Sequence, residues 1–203
     1  MRVKDMFLKN DRYLLNLIIS VFFLFSYNAH SETNDKTNAL RYLNSLKYFS
    51  ASFLQNDGEN LSEGKVYIGK KRVRAEYFFP TKILLILDQD KAMYYDYELE
   101  EDEFFDPKKT NAWFFYDVFR NPNFFEDATV EIYKNELLIQ KSGVDSEEKK
   151  FAITVYFEKN PIVLRRIDIA LDDDFLSLSI FNHSYNEEFS EDFFKLINPK
   201  FLN

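Results

Sequence analysis

Short runs in which every second residue is apolar, separated by polar turns, fill most of this chain from Gly64 to Ser184. Val66 and Ile68 alternate with Lys65 and Tyr67. After a reversal near Gly69–Lys71, Val73, Ala75, Tyr77 and Phe79 alternate with Arg72, Arg74 and Glu76. A period of two sends successive side chains to opposite faces of a strand, so these runs are two-faced only as strands. Lys82–Leu87 is apolar throughout after its first residue, as expected of a strand covered on both faces. Further strands are predicted at Ala92–Leu99, Ala128–Lys134, Glu136–Ser142, Phe151–Glu158, Val163–Leu171 and Phe175–Ser184, with a short last one at Phe193–Ile197. Asp57-Gly58 and Asp88-Gln89-Asp90 read as turns.

Two stretches have helical character. Thr33–Thr37 offers capping residues for a helix running to about Phe53, with Leu40, Leu43 and Leu46 on one stripe and Tyr42, Phe49 and Phe53 beside it. Asn111–Arg120 holds Trp113, Phe114, Phe115, Tyr116 and Phe119 and stops at Asn121-Pro122. Strands that follow one another without intervening helices pair as antiparallel neighbours. The expected fold is therefore mainly β: a long, highly curved antiparallel sheet of about ten strands, whose open end the helices can cap if the sheet curls on itself as a half-closed barrel. Its inward set would be Val66, Ile68, Val73, Ala75, Tyr77, Tyr95, Ile153, Val155, Phe157, Ile167 and Ile169. The same residues would serve equally well as the inner face of a dry two-sheet sandwich. The aromatic cluster at Trp113–Phe119 cannot lie on one helical stripe. It reads either as core packing or as the underside of a lid, with Trp113 and Phe114 facing a cavity.

The first 31 residues read as an export signal. Lys4, Lys9 and Arg12 precede an apolar run, Leu14–Phe25, broken only by Asn16 and Ser20, and Ala29 and Ser31 fit a cleavage site. The apolar run is short for a membrane span of about 20 residues. Residues 32–203 are then expected to form one soluble domain in the periplasm, large enough to bury a core unaided. The signal takes four basic and two acidic residues with it, so a net charge of −8 deepens by two. That balance disfavours nucleic acid and anionic membranes; it is compatible with basic protein partners and equally with a surface that is merely solubilising. The acidic run Glu100–Glu103, with Asp88 and Asp90, is a candidate rim for such a partner. The chain has no cysteine, which rules out disulfides and a lipid-modified N-terminus.

Catalytic chemistry finds little to work with. His183 is the single histidine after the signal, the run Asp172-Asp173-Asp174 lacks the spacing and glycine of a calcium loop, and no phosphate loop or nucleophile elbow is present. No enzyme activity, cofactor or metal is expected.

The order of these features resembles the periplasmic outer-membrane lipoprotein carriers, the LolA family. The residues that carry the resemblance are Phe49-Ser50-Ala51-Ser52-Phe53-Leu54-Gln55, which is similar to a Phe-x-Ala-x-Phe-x-Gln signature at a helix end. Then come Gly64–Ile68, Arg74–Tyr77 with Pro80, Ile83–Asp88, and Tyr94-Tyr95-Asp96. The likeness is detailed from Lys47 to about Leu99 and one of strand pattern from Phe151 to Pro199. It implies an unclosed, highly curved antiparallel barrel of about ten or eleven strands capped by helices, a monomer whose hydrophobic cavity accepts the acyl chains of a triacylated lipoprotein from an inner-membrane ATP-driven releasing complex. The cargo would then pass to an outer-membrane receptor. It also implies a latch in which a basic residue after the first hairpin strand holds the lid. Lys70 stands at that position, in a hairpin one residue shorter, and Arg72 is the alternative. Two other readings stay open: a carrier or sensor of another amphiphile such as a glycolipid or terpenoid, and a structural or inhibitory β protein with a dry interior.

Overall fold

The computed structural model describes residues 34–145, 148–190 and 192–201; the export signal lies outside them. Helix α1 covers residues 34–45, and from Asn38 onward the chain forms one compact unit. Six strands follow: β1 (Phe49–Asn56), β2 (Leu61–Ile68), β3 (Val73–Phe79), β4 (Ile83–Leu87), β5 (Ala92–Asp96) and β6 (Glu101–Phe105). After a 3-10 turn (Pro107–Lys109) and helix α2 (Ala112–Arg120) come β7 (Thr129–Ile132), β8 (Glu136–Val144), β9 (Lys150–Glu158), β10 (Val163–Leu171) and β11 (Asp174–Ser184).

All eleven strands belong to one antiparallel sheet in the order β6-β5-β4-β3-β2-β1-β11-β10-β9-β8-β7. Two meanders are thus joined through their outermost sequence members, β1 and β11. The edges, β6 and β7, are consecutive in the chain, and the segment between them carries α2. This is the unclosed curved barrel expected from the sequence.

The turns are built as their residues dictate. Gly69 N–H donates to the Arg72 carbonyl at 2.9 Å, and Asp88 N–H to that of Lys91 at 2.9 Å, closing two tight hairpins. Asp57 Oδ1 accepts from the N–H groups of Glu59 and Asn60, with Gly58 at φ +96° between them. β6 is the acidic stretch itself, an edge strand whose charges discourage pairing with a foreign strand.

Three expectations need correction. Phe49–Gln55 is not a helix end: α1 stops at 45, Tyr48 turns the chain at φ +57°, and the signature residues form β1. Phe49, Ala51 and Phe53 alternate into the core, and the backbone hydrogen bonds go to β2 and β11. Ala92–Leu99 is strand only to Asp96, after which the chain reverses through Glu100 at φ +60°. Phe193–Ile197 is a series of turns, laid over the outside of the sheet.

The sheet has two apolar faces where β4 and β5 lie. On the concave side Phe53, Val66, Ile68, Val73, Leu87, Leu137, Ile139, Leu164, Leu178 and Ile180 join Ala39, Leu43 and Leu46 of the first helix and its exit in the main core. On the convex side Leu84, Ile86, Met93 and Tyr95 form a second cluster covered by Leu196. The unbroken apolar run of β4 follows from this double burial.

Candidate functional site: a helix plugging the open barrel

A nine-residue helix is marginal in water on its own, so α2 is helical because it is docked. Phe114, Val118 and Phe119 are buried beneath it, each worth about 1.5–3 kcal/mol of burial. The helix lies over the concave face, with Phe115 and Phe119 toward β1–β4 and Phe114 toward Phe151 of β9. Its Trp113, Tyr116 and Asp117 share an open pocket of about 380 Å³ with Pro107 and Lys108 of the 3-10 turn and with Val144 of β8 and Phe151 of β9. Trp113 stacks on Phe114 with ring centres 4.1 Å apart, and Phe114 meets Phe151 at 5.1 Å.

Beneath the helix lies the apolar interior. Phe115 and Phe119 project toward Phe53, Val66, Val73, Ala75, Tyr77, Leu85, Leu87 and Leu178 around a cavity of about 30 Å³, room for little more than one or two waters. The interior is thus filled by the protein's own side chains. Tyr77 is the polar exception: its hydroxyl donates to Gln55 Oε1 at 2.9 Å, and burial pushes the phenol up to about 12.

Of the residues predicted from sequence to line the interior, Val66, Ile68, Val73, Phe114, Ile153, Val155, Phe157, Ile167 and Ile169 are buried in the main core. Ala75, Tyr77 and Trp113 pack against it. Tyr95 does not belong with them. It pairs with Leu84 on the convex face and stacks edge-on against Tyr97 at 4.8 Å. The parity of β5 decides this, since Ala92, Tyr94 and Asp96 lie across from Leu87, Leu85 and Ile83 on the concave face. The sequence reading missed Phe53, Leu85, Leu87 and Leu178. Alternation from Phe49 through Ala51 to Phe53 was the available signal for the first.

The bonds expected from Lys70 or Arg72 to the Asn111–Arg120 segment are not made among the described residues; the cation that ties α2 to the hairpin stands on α2 itself. Arg120, the last residue of α2, donates through Nη1 to the Gly69 carbonyl at 3.1 Å and through Nη2 to the Leu46 carbonyl. Its Nε has no partner within the described residues, and burial pulls the guanidinium down to about 10, still protonated at neutral pH. Lys70 is exposed and makes no side-chain bond among the described residues. Arg72 pairs with Asp88 at 2.6 Å and donates to the Phe194 carbonyl at 2.9 Å. Because Val73 faces inward, the residues on either side of it face outward, and so Arg72 and Arg74 reach the convex face. There Arg74 donates to the Phe193 carbonyl at 2.5 Å and lies 4.2 Å from the Phe193 ring centre. The two arginines pin the C-terminal segment rather than the lid.

The acidic residues do not gather on one rim. Asp88 and Asp90 sit at the β4–β5 turn, paired with Arg72 and Lys108. Glu100 and Asp102 lie at the opposite end of β5, bound to Lys200 and Asn198. His183 bonds the Leu164 carbonyl at 2.7 Å and packs on Phe49, a structural role. Among the described residues no helix is long and apolar enough to cross a membrane.

No protein-family model matches this chain. It is similar to the uncharacterized protein RP864 of Rickettsia prowazekii (strain Madrid E), at 25% identity over 203 residues, spanning 94% of this chain and 90% of that one. Among solved structures, an uncharacterized conserved protein from Thermus thermophilus superimposes with a TM-score of 0.53 at 12% identity, over 80% of this chain and 93% of that one. That likeness is one of fold. MucB of Pseudomonas aeruginosa, solved with MucA, overlaps more loosely: a TM-score of 0.45 at 7% identity, over 79% of this chain and 59% of that one. So loose an overlap carries no argument.

Proposed function

We propose that this protein is a non-enzymatic carrier of acyl chains, which enter the concave interior when α2 lifts from the concave face. The observation that carries the reading is the position of α2. It covers the concave apolar face, with Phe115 and Phe119 over β1–β4 and Phe114 on Phe151 of β9, yet it is held by side-chain burial and one arginine rather than by sheet hydrogen bonds. Lifting it uncovers the apolar interior and breaks no strand pairing. Each methylene that then enters gains about 0.8 kcal/mol, so a tail of ordinary length outweighs the side chains it displaces. In the finer form of the proposal the carrier works in the periplasm. Its cargo is the acyl chains of lipoproteins, taken from an inner-membrane releasing complex and given to an outer-membrane receptor.

The filled interior, with its cavity of about 30 Å³, favours a second reading: a structural β protein in which α2 never leaves. Mass spectrometry of the protein purified from its own cell envelope separates the two. Co-purifying acylated protein supports the lipoprotein form and free lipid the broader carrier. A bare protein that also refuses a fluorescent fatty acid after removal of Arg120 leaves the structural reading.

A further inference from the structure

Phe119 borders two very different spaces. It lines the dry interior with Val73, Leu87 and Phe115, and it also lines an open groove of about 680 Å³ at the same end of the barrel. One buried ring is all that both spaces share on α2.

The groove is cationic although the chain is acidic. Lys47, Lys70, Lys71, Arg72 and Arg120 line it, against Asp88 and Asp90. Both carboxylates are already matched, Asp88 by Arg72 and Asp90 by Lys108, each at 2.6 Å. Lys47, Lys70 and Lys71 have no side-chain partner among the described residues. Neighbouring like charges repel and stabilise nothing in the fold by themselves. Nor do they serve solubility here, because cations reduce the net charge of a chain at −8. The backbone that carries them is fixed: the β2–β3 turn is closed between Gly69 and Arg72, and the Leu46 carbonyl is held by Arg120.

We infer that this groove receives an anionic head group, a phosphate or a carboxylate, whose acyl tail passes Phe119 into the interior. The inference rests on the carrier reading and adds the class of cargo. It also gives the latch a trigger. Arg120 already lines the groove, and a phosphate or carboxylate accepts two parallel bonds from a guanidinium fork more strongly than neutral carbonyls do. An anion seated among the lysines competes with Gly69 and Leu46 for Arg120. Its arrival loosens the C-terminal end of α2 at the point where the tail must enter.

The test uses the purified protein and four probes that share an oleoyl or oleyl chain: oleate, oleoyl lysophosphatidate, monooleoylglycerol and oleyl trimethylammonium. Both anionic probes should bind about tenfold or more tighter than monooleoylglycerol, the scale of a charge-assisted contact. The triple variant Lys47→Gln, Lys70→Gln, Lys71→Gln should erase that preference while leaving monooleoylglycerol binding and the melting temperature unchanged. Oleate against lysophosphatidate then tells carboxylate from phosphate. Equal binding of all four heads, or a preference that survives the triple variant, overturns the head-group assignment and leaves the carrier reading standing. If no probe binds, either to the wild type or to Arg120→Gln, both fall.

Discussion

Arg120 Nη1 lies 3.1 Å from the Gly69 carbonyl oxygen while Nη2 donates to the Leu46 carbonyl, so one guanidinium ties the end of α2 to the β2–β3 hairpin and to the exit of α1. Hydrogen bonds from a charged donor are worth about 1.5–3 kcal/mol. The unpartnered Nε and the desolvation of the cation offset part of that. Arg120→Met is therefore expected to weaken the docking of α2 by about 1–2 kcal/mol with little effect on the sheet. Amide exchange should quicken five- to thirtyfold, roughly, in Ala112–Arg120 and hardly at all in β9 and β10. Arg120→Lys should restore part of the protection, because an ammonium lacks the planar fork that spans both carbonyls. Wild-type exchange of the helix in Arg120→Met would refute the latch.

Docking of α2 should also depend on pH. Burial raises the Asp117 carboxyl above its ordinary value; a hydrogen bond with Asn121 and the charges of Lys108 and Lys141 pull against it. A folded-state value above the unfolded one means that the native state binds the extra proton. Stability conferred by the protonated carboxyl is then lost as pH rises from the ordinary carboxylate range through the raised value. Exchange of the α2 amides, corrected for intrinsic rates, should slow on mild acidification, and Asp117→Asn should abolish that dependence. Glu187 has the opposite sign. The Ser50 hydroxyl donates to it and holds its carboxyl below the usual range, so its support for the C-terminal segment is lost as pH falls through the lowered value. Mild acid tightens the plug; stronger acid loosens the strap.

Gly64 faces Phe53 across the β1–β2 pair, and a Cβ there would stand 2.4 Å from Phe53 Cζ and 2.3 Å from the Glu76 carbonyl oxygen. The ring occupies the space the missing side chain leaves. Gly64→Ala should destabilise the protein by about 1–3 kcal/mol through overpacking, read from urea unfolding. Adding Phe53→Leu should recover only part, since the backbone carbonyl of Glu76 cannot be trimmed. Full rescue would mean that the ring alone sets the constraint.

What the sequence disclosed and what it hid divide along physical lines. Period-two alternation exposed nine of the eleven strands and most of the concave face, because parity is local; β1 was read as a helix end, and the acidic β6 carries no apolar alternation. It also exposed the double burial of β4, since only a strand covered on both sides reads as Ile83-Leu84-Leu85-Ile86-Leu87. Tyr95 was assigned to the wrong face because its strand, Met93-Tyr94-Tyr95, has large side chains on both parities, and only pairing with Leu84 settles which is inward. The helical stripe of Leu40, Leu43 and Leu46 ran on into Phe49 and Phe53 without a break in hydropathy. The break is conformational, at Tyr48, and is enforced by β11, more than a hundred residues away. The latch was hidden for the same reason. A lone Arg120 at a helix end is ordinary in sequence, and its partners are two carbonyls that carry no side-chain signature.

Interior substitutions follow from how full the barrel is. Val155 is wholly buried at the centre of β9, paired with Ile139 and Ile167. A carboxylate there has no partner and no water, so Val155→Asp should cost upward of about 4 kcal/mol and unfold the protein rather than merely empty it. Phe115 is the informative position. It lies on the plug, is partly exposed, and its ring fills space beside a cavity of about 30 Å³. Phe115→Ala should lower stability by about 2–4 kcal/mol, less if α2 settles inward. It should also raise affinity for a fluorescent fatty acid, because a tail entering the variant no longer has to expel that ring. Stability measured by urea unfolding and uptake measured by fluorescence should therefore move in opposite directions. If stability falls and no uptake appears, the space under α2 is core and not a binding site, and the carrier reading goes with it.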